Sequence, residues 1–319
     1  MAKLLIGLAG RGLIDGKFAS TARVGKDEVA KVIREDLGFR TYSFALPLKQ
    51  VCQVLFGLTE EQLWNDNLKK VEIPLWKQSP RSLFQRLGTE GGRFVFDQAM
   101  WAKMAMFVWD DVQQERPYKL THTGSTSVTS ANPKTPEDFD RLLNLAAQAM
   151  FQLEDGDIAQ SRLNGTPLRQ WNYTFDEIKH KIRTETIPVI LGMSDKPEEA
   201  WERFTSLRST LPFVEVVSNG PYGTPSAQSN GLSVPDNRFD NEADTIRDHG
   251  GHIIHVVRNL PPDIELVQGH SSEVGVTVKP NDLLLKNDST LEALKHKTID
   301  LVSSIHPDKL TVKNDNFGI

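Results

Sequence analysis

The sequence predicts an α/β fold with a mainly parallel sheet and helices on both faces. Three observations predict it. Short apolar runs alternate with amphipathic stretches of helical period along much of the chain. The first run, Leu4-Leu5-Ile6-Gly7-Leu8-Ala9-Gly10, leads through a glycine turn and Gly25-Lys26 into a helix-like segment, Glu28 to Leu37. A later run, Gly231 to Asp236, ends in an acid, at the strand end where open α/β sheets place ligands.

The order strand, glycine turn, Gly-Lys, helix is that of a phosphate-binding loop. Glycines let backbone N–H groups turn inward around phosphate oxygens, the helix start adds its dipole, and the lysine reaches the terminal phosphates. Two features depart from the usual spacing. Gly10 and Gly25 are separated by Arg11 to Val24, so roughly ten residues centred on Gly12 to Thr21 read as an insertion. The position after the lysine, usually Ser or Thr, is Asp27, and a carboxylate beside phosphates needs a cation between them. An ordinary strand-to-helix turn remains open for this stretch alone.

Thr41 to Ala45 reads as a short strand, and Pro47 opens a helix with Leu48, Val51, Val54 and Leu55 on one face and Gly57 as its stop. Thr59 to Trp64 reads as a short capped turn, and the polar segment Asn65 to Gln78 has no clear assignment. Ser79-Pro80-Arg81 is a helix start and Gly88 its expected stop. Arg81 and Gln85 share a face, with Gly88-Thr89 following on that side; a solvated helix face is the alternative. Gly91-Gly92 should restart the chain into a helix from Arg93 to about Gln113, in which Trp101 is either a core aromatic or a surface for a nucleobase.

Composition changes near Arg116, and Thr121 to Thr135 has loop chemistry. Pro136 to Leu153, Phe175 to Arg183 and Pro197 to Leu207 read as helices, Ile187 to Leu191 and Phe213 to Val217 as strands, and Asn219 to Asn230 as a closing loop. Residues 1–115 and 231–319 are therefore expected to form one core, interrupted by a subdomain, 116–230, of unknown role. After Asp236, Asp240 or Asn241 should cap a helix from Glu242 to His249, crowding Asp236, Arg238 and Glu242 at one corner; structural charge pairing is the alternative. His252 to Val257 reads as a buried strand whose His252 and His255 point to opposite faces, a poor arrangement for a shared metal. A polar loop, Asn259 to Lys279, with His270-Ser271-Ser272-Glu273, reads as a lid; Leu283 to Leu285 is the last strand and Leu291 to Ile305 the last helix.

The totals exclude several classes. With 319 residues, 39% hydrophobic and 25% charged, the chain has the composition of a soluble globular protein. A net charge of -5 and a pI near 5.9 argue against duplex nucleic acid as a partner. No run approaches the roughly twenty apolar residues of a membrane span. The single cysteine, Cys52, excludes an intrachain disulfide and a thiolate zinc cage and suits a reducing compartment.

Several stretches, in this order, resemble the deoxynucleoside monophosphate kinases of tailed bacteriophages. They are Arg23-Val24-Gly25-Lys26-Asp27, Ser43 to Lys49, Ser79 to Arg93 with Gln85-Arg86-Leu87-Gly88-Thr89, Trp101-Ala102-Lys103, Val234 to Glu242, His255 to Arg258, and Asn287 to Glu292. The resemblance implies a P-loop NTPase fold of the nucleoside monophosphate kinase type, and transfer of phosphate from ATP to a deoxynucleoside monophosphate with Mg2+. In that family an acid after Gly-Lys is normal. Gly10, Arg11, Arg23, Val24, Gly25, Lys26, Asp27, Glu28 and Asn287 would hold ATP, with Asp27 toward the metal. Arg81, Gln85, Gly88, Thr89, Trp101, Asp236, Arg238 and Glu242 would hold the monophosphate. The resemblance also implies a homodimer and the host cytoplasm.

Phosphoryl transfer asks for in-line positioning and charge neutralisation rather than covalent chemistry from the protein. Lys26, Asp27, Arg81, Arg238 and the lid cation Arg258 are the expected catalytic set, with Trp101 stacking on base or sugar. Two other functions stay open. Another small-molecule P-loop kinase would show itself in a substrate panel. A nucleotide-binding assembly or regulatory module would bind ATP without releasing ADP.

Overall fold

The computed structural model describes residues 2–116, 132–168, 171–212, 229–262 and 275–306. The chain divides into two compact units. One comprises Met1–Phe44, Trp101–Tyr118 and Tyr222–Ile319, and the other Ala45–Met100 and Lys119–Pro221. Packing thus groups residues 45–100 with the stretch read as an inserted subdomain.

The first unit is a mixed α/β layer structure. Its sheet has the order β3 (Arg40–Thr41), β4 (Gly231–Asn237), β1 (Leu4–Ile14), β5 (His252–Asn259), β6 (Leu283–Lys286), and every pairing along that path is parallel. β2 (Lys17–Ser20) pairs antiparallel with the far end of β1. Alternation along β1 sends Leu4, Ile6 and Leu8 to one face, where they pack with Val29, Ala30 and Ile33 of α1 (Lys26–Glu35) and Leu294 and Val302 of α12 (Leu291–Ile305). The other face meets α11 (Asp240–Asp248): a side chain at Gly7 would collide with Ile246. α5 (Met100–Gln113) completes this unit.

The second unit is helical. It contains α2 (Ala45–Phe56), α3 (Glu60–Trp64), α4 (Pro80–Arg86), α6 (Pro136–Phe151), α7 (Asp155–Asn164), α8 (Phe175–Lys181), α9 (Ile187–Leu191) and α10 (Pro197–Arg208). Its core includes Phe56, Trp76 and Phe204, with Trp76 and Phe204 stacked at 6.0 Å. Cys52 of α2 is fully buried and burial pushes its thiol up, so it is a core residue, as expected.

Most expected elements form, and the exceptions have local causes. Gly88 does not stop its helix: α4 runs on as a π-helical stretch, Leu87–Phe94, that also absorbs Gly91 and Gly92, so the next helix begins at Met100 rather than Arg93. Ile187 to Leu191, expected as a strand from its branched apolar residues, is helical. Pro188 sits in its first turn and Ile187 and Ile190, three apart, are both buried. Of the strand expected at Thr41 to Ala45 only Thr41 pairs, together with Arg40 before it, and Ala45 already opens α2. The strand expected at Phe213 to Val217, and His270 to Glu273 of the loop expected as a lid, lie outside the described residues. Among the described residues no helix is long and apolar enough to cross a membrane.

Candidate active site

In the first unit the predicted residues gather at the carboxyl edge of the sheet, where β1 and β4 lie side by side. The helices that follow these strands, α1 and α11, cover opposite faces of the sheet, which is the arrangement at which open α/β sheets hold ligands.

The segment expected as an insertion is a β-ribbon. Asp15 and Gly16, at φ 49 and 74, form a two-residue turn of the kind that matches strand twist, and β2 returns along β1 in the register Ile14 to Lys17, Leu13 to Phe18 and Gly12 to Ser20. The chain re-emerges at Thr21, whose carbonyl passes so close to Gly10 that no Cβ could fit there. A ribbon that leaves and returns at one level adds residues without moving the loop that follows. Gly10 accordingly makes room for the returning chain.

The loop ends in two left-handed residues, Arg23 at φ 60 and Gly25 at φ 88, with Gly25 as the N-cap of α1. No side chain caps this helix. Its first internal bond runs from the N–H of Val29 to the carbonyl of Gly25 at 3.2 Å. The N–H groups of Lys26, Asp27 and Glu28 therefore have no acceptor within the helix, the local condition for holding an anion. The Asn287 side chain donates to the carbonyl of Val24 at 2.9 Å and packs against Gly25, bracing the loop from the end of β6. Arg258, exposed at the end of β5, approaches the carbonyl of Arg23 at 3.4 Å. Arg11 stands over the Phe18 ring at 5.7 Å, on the ribbon.

Lys26 is the electrostatic centre. Its side chain is only 15% exposed, and Asp27, with a side chain 97% exposed, lies 3.7 Å from its ammonium. Burial pulls the Lys26 ammonium below its usual value; Asp27 and Asp236 oppose this, and Arg238 adds to it. Asp236 and Arg238 are thus close enough to act on the lysine from the end of the neighbouring strand. An incoming anion would push the Lys26 ammonium back up and favour its charged form. Asp236 is itself oriented by the Ser43 hydroxyl at 2.8 Å and the N–H of Phe44 at 3.2 Å.

Glu242 is 3% exposed and accepts from the N–H groups of Arg238, at 2.8 Å, and Phe239, at 3.2 Å. It caps α11 and so fixes the turn that carries Arg238. Trp101, expected to stack on a base or sugar, is 2% exposed, which places its ring in the core.

In the second unit Arg81, Gln85, Gly88 and Thr89 occupy α4 and the π-helical stretch that continues it. Arg81 and Gln85 are half-buried, and among the described residues their side chains have no hydrogen bond or ion pair. Gly88 packs against Leu48 of α2. Nearby positive charge is evident at Asp66: the Lys69 ammonium, 2.6 Å away, holds its carboxyl below the usual range, and Lys49 and Arg81 add to this.

Two features escape sequence reasoning. Ser43 and Asp236 meet although they lie 193 residues apart, and no local pattern joins them; only the adjacency of β3 and β4 does. A buried network under α11 is equally non-local. Arg247 clasps Asp282 with two bonds, at 3.0 and 2.6 Å, and Asp282 also accepts from His255 at 3.0 Å and from the N–H of Lys279 at 2.8 Å. No group of three or more metal-ligating side chains occurs among the described residues. Asp27 could still hold Mg2+, which commonly binds through one or two carboxylates plus substrate phosphates and water.

The sequence of this edge has relatives. Residues 221–298, which carry Asp236, Arg238, Glu242, Arg258 and Asn287, match the family model described as deoxynucleotide monophosphate kinase. The chain is 41% identical over 64 residues to the deoxynucleotide monophosphate kinase of Enterobacteria phage T4, covering 20% of this chain and 25% of that protein. It is 36% identical over 92 residues to a protein of Acanthamoeba polyphaga mimivirus provisionally given the same name, covering 28% of this chain and 45% of the relative. The chain thus spans a quarter to under a half of the relatives it matches, and over residues 221–298 it is similar to the deoxynucleotide monophosphate kinases.

Proposed function

We propose that this protein is an ATP-dependent deoxynucleoside monophosphate kinase with a P-loop type nucleotide site. One observation carries the reading: the strand end whose charges act on buried Lys26, Asp236 and Arg238, lies inside the segment that matches the kinase family. A phosphate-binding lysine and an acceptor-side acid and arginine at adjoining strand ends are what phosphoryl transfer requires.

In this reading Gly25, Lys26 and the N–H groups opening α1 bind the ATP phosphates, while Val24 and Asn287 hold the loop in shape. Arg11, Arg23 and Glu28 border it. Asp27 holds Mg2+, which neutralises phosphate charge when bound. Arg81, Gln85, Gly88 and Thr89 bind the monophosphate, as do Asp236 and Arg238, the last positioned by Glu242. Lys26, Arg81, Arg238 and Arg258 neutralise charge on the moving phosphoryl group. Trp101 has a packing role.

The test is ADP release from ATP and Mg2+ with each of the four deoxynucleoside monophosphates and their ribose counterparts. Turnover with at least one deoxy substrate is expected. ATP binding with no ADP release from any of the eight would overturn the proposal.

A further inference from the structure

Two π-helical stretches face each other inside the second unit, Leu87–Phe94 after α4 and Ile182–Thr186 after α8. Where the first one ends, its hydrogen bonding shifts by one residue. The N–H of Val95 and that of Phe96, the latter at 2.9 Å, both go to the carbonyl of Gly92. The carbonyl of Gly91 is thereby released from the helix, and a buried carbonyl needs a donor. Thr186, fully buried at the end of the second π stretch, supplies it: its hydroxyl donates to Gly91 at 2.9 Å.

Two further bonds join the same two segments in the opposite sense. Arg86 donates to the carbonyl of Val189 at 2.6 Å, and Gln78 to that of Ile190 at 2.8 Å. The helix and the turn before it are therefore held through Gln78, Arg86 and Gly91, while the side chains of Arg81 and Gln85 have no hydrogen bond or ion pair among the described residues. π-helical insertions recur at functional sites because they re-aim the side chains that follow.

We propose that Thr186 is a positioning residue for the monophosphate. Residues 182–190, from the stretch expected to be an accessory subdomain, set the phase of the helix that presents Arg81, Gln85, Gly88 and Thr89. This rests on the kinase reading above. The second unit's later segment then contributes to substrate fit without touching substrate.

The full chain is assayed with ATP, Mg2+ and its best monophosphate. Thr186→Val keeps the shape and removes the donor; it should raise KM for the monophosphate about five- to tenfold, the scale of one lost buried hydrogen bond, and leave KM for ATP within about twofold. Thr186→Ser should restore the wild-type KM, which a merely structural role for the side chain's shape would not. If Thr186→Val fails to fold by circular dichroism, Arg86→Met, which removes the bond to Val189, should show the same split. An unchanged monophosphate KM in the folded variant, an equal rise in both KM values, or failure of serine to restore would overturn the proposal while wild-type turnover keeps the kinase reading. A wild-type chain that phosphorylates no monophosphate removes that reading and this proposal with it.

Discussion

Lys26 pays for its position in stability. Its ammonium is buried and held below its usual value chiefly by lost hydration. A base whose folded value lies below its unfolded value binds its proton less readily in the native state, so at neutral pH the charged lysine destabilises the fold. Lys26→Met should leave the melting temperature unchanged or raise it, while ADP release falls on the order of 10² to 10³. A variant with wild-type turnover would exclude the lysine from phosphate binding. Gly25-Lys26 before a helix marks this residue in the sequence, as the strand-end acid marks Asp236, but the nearness of Asp236 and Arg238 to the lysine was not legible there. Asp236 and Arg238 come to it from more than two hundred residues away, through a strand pairing that no local pattern encodes.

Among the elements, the ribbon of β1 and β2 separates two kinds of glycine. Gly10 needs the absence of a Cβ because the carbonyl of Thr21 occupies its place, whereas Gly16 has open space around it and needs only its positive φ of 74. Gly10→Ala must displace backbone, and should cost about 1–3 kcal/mol or more in urea unfolding and raise KM for ATP, since the loop before Lys26 moves with Thr21. Gly16→Ala should cost about 1 kcal/mol and leave KM unchanged. Equal effects of the two on KM would mean that the ribbon does not transmit to the loop. Periodicity located most helices well, because amphipathic stretches such as Pro136–Phe151 and Leu291–Ile305 carry clear caps and faces. It failed where glycine or a branched residue normally means something else. Gly88, Gly91 and Gly92 sit inside a π-helical turn, and Ile187-Pro188-Val189-Ile190-Leu191 is helical because burial of Ile187 and Ile190 outweighs strand propensity.

For the molecule as a whole, the network around Asp282 predicts how stability follows pH. Hydrogen bonds from Arg247, Lys279 and His255 outweigh burial and hold the Asp282 carboxyl below its usual value, and Lys279 and Arg247 do the same for Asp244. Such carboxylates contribute stability above about pH 4, lost as pH falls through their folded values. His255 is 1% exposed, and burial holds it below its ordinary value despite Asp282. Its protonation favours unfolding, so stability declines as pH drops below about 6.5. Urea unfolding between pH 8 and 3.5 should therefore show two successive losses; His255→Gln should flatten the upper one and Asp282→Asn the lower. A profile level from pH 7 to 5 would exclude the histidine. The parallel sheet itself was legible from alternating runs of apolar and amphipathic sequence, but the grouping of residues 45–100 with 119–221 was not, because it rests on packing between distant helices. The ribbon has one last consequence. Because it begins and ends at one level of the sheet and its Asp15–Gly16 tip is exposed, the tip is a natural socket: a foreign peptide, an affinity tag or a fluorophore spliced there would hang outward while the chain beyond Thr21 continued on its native course.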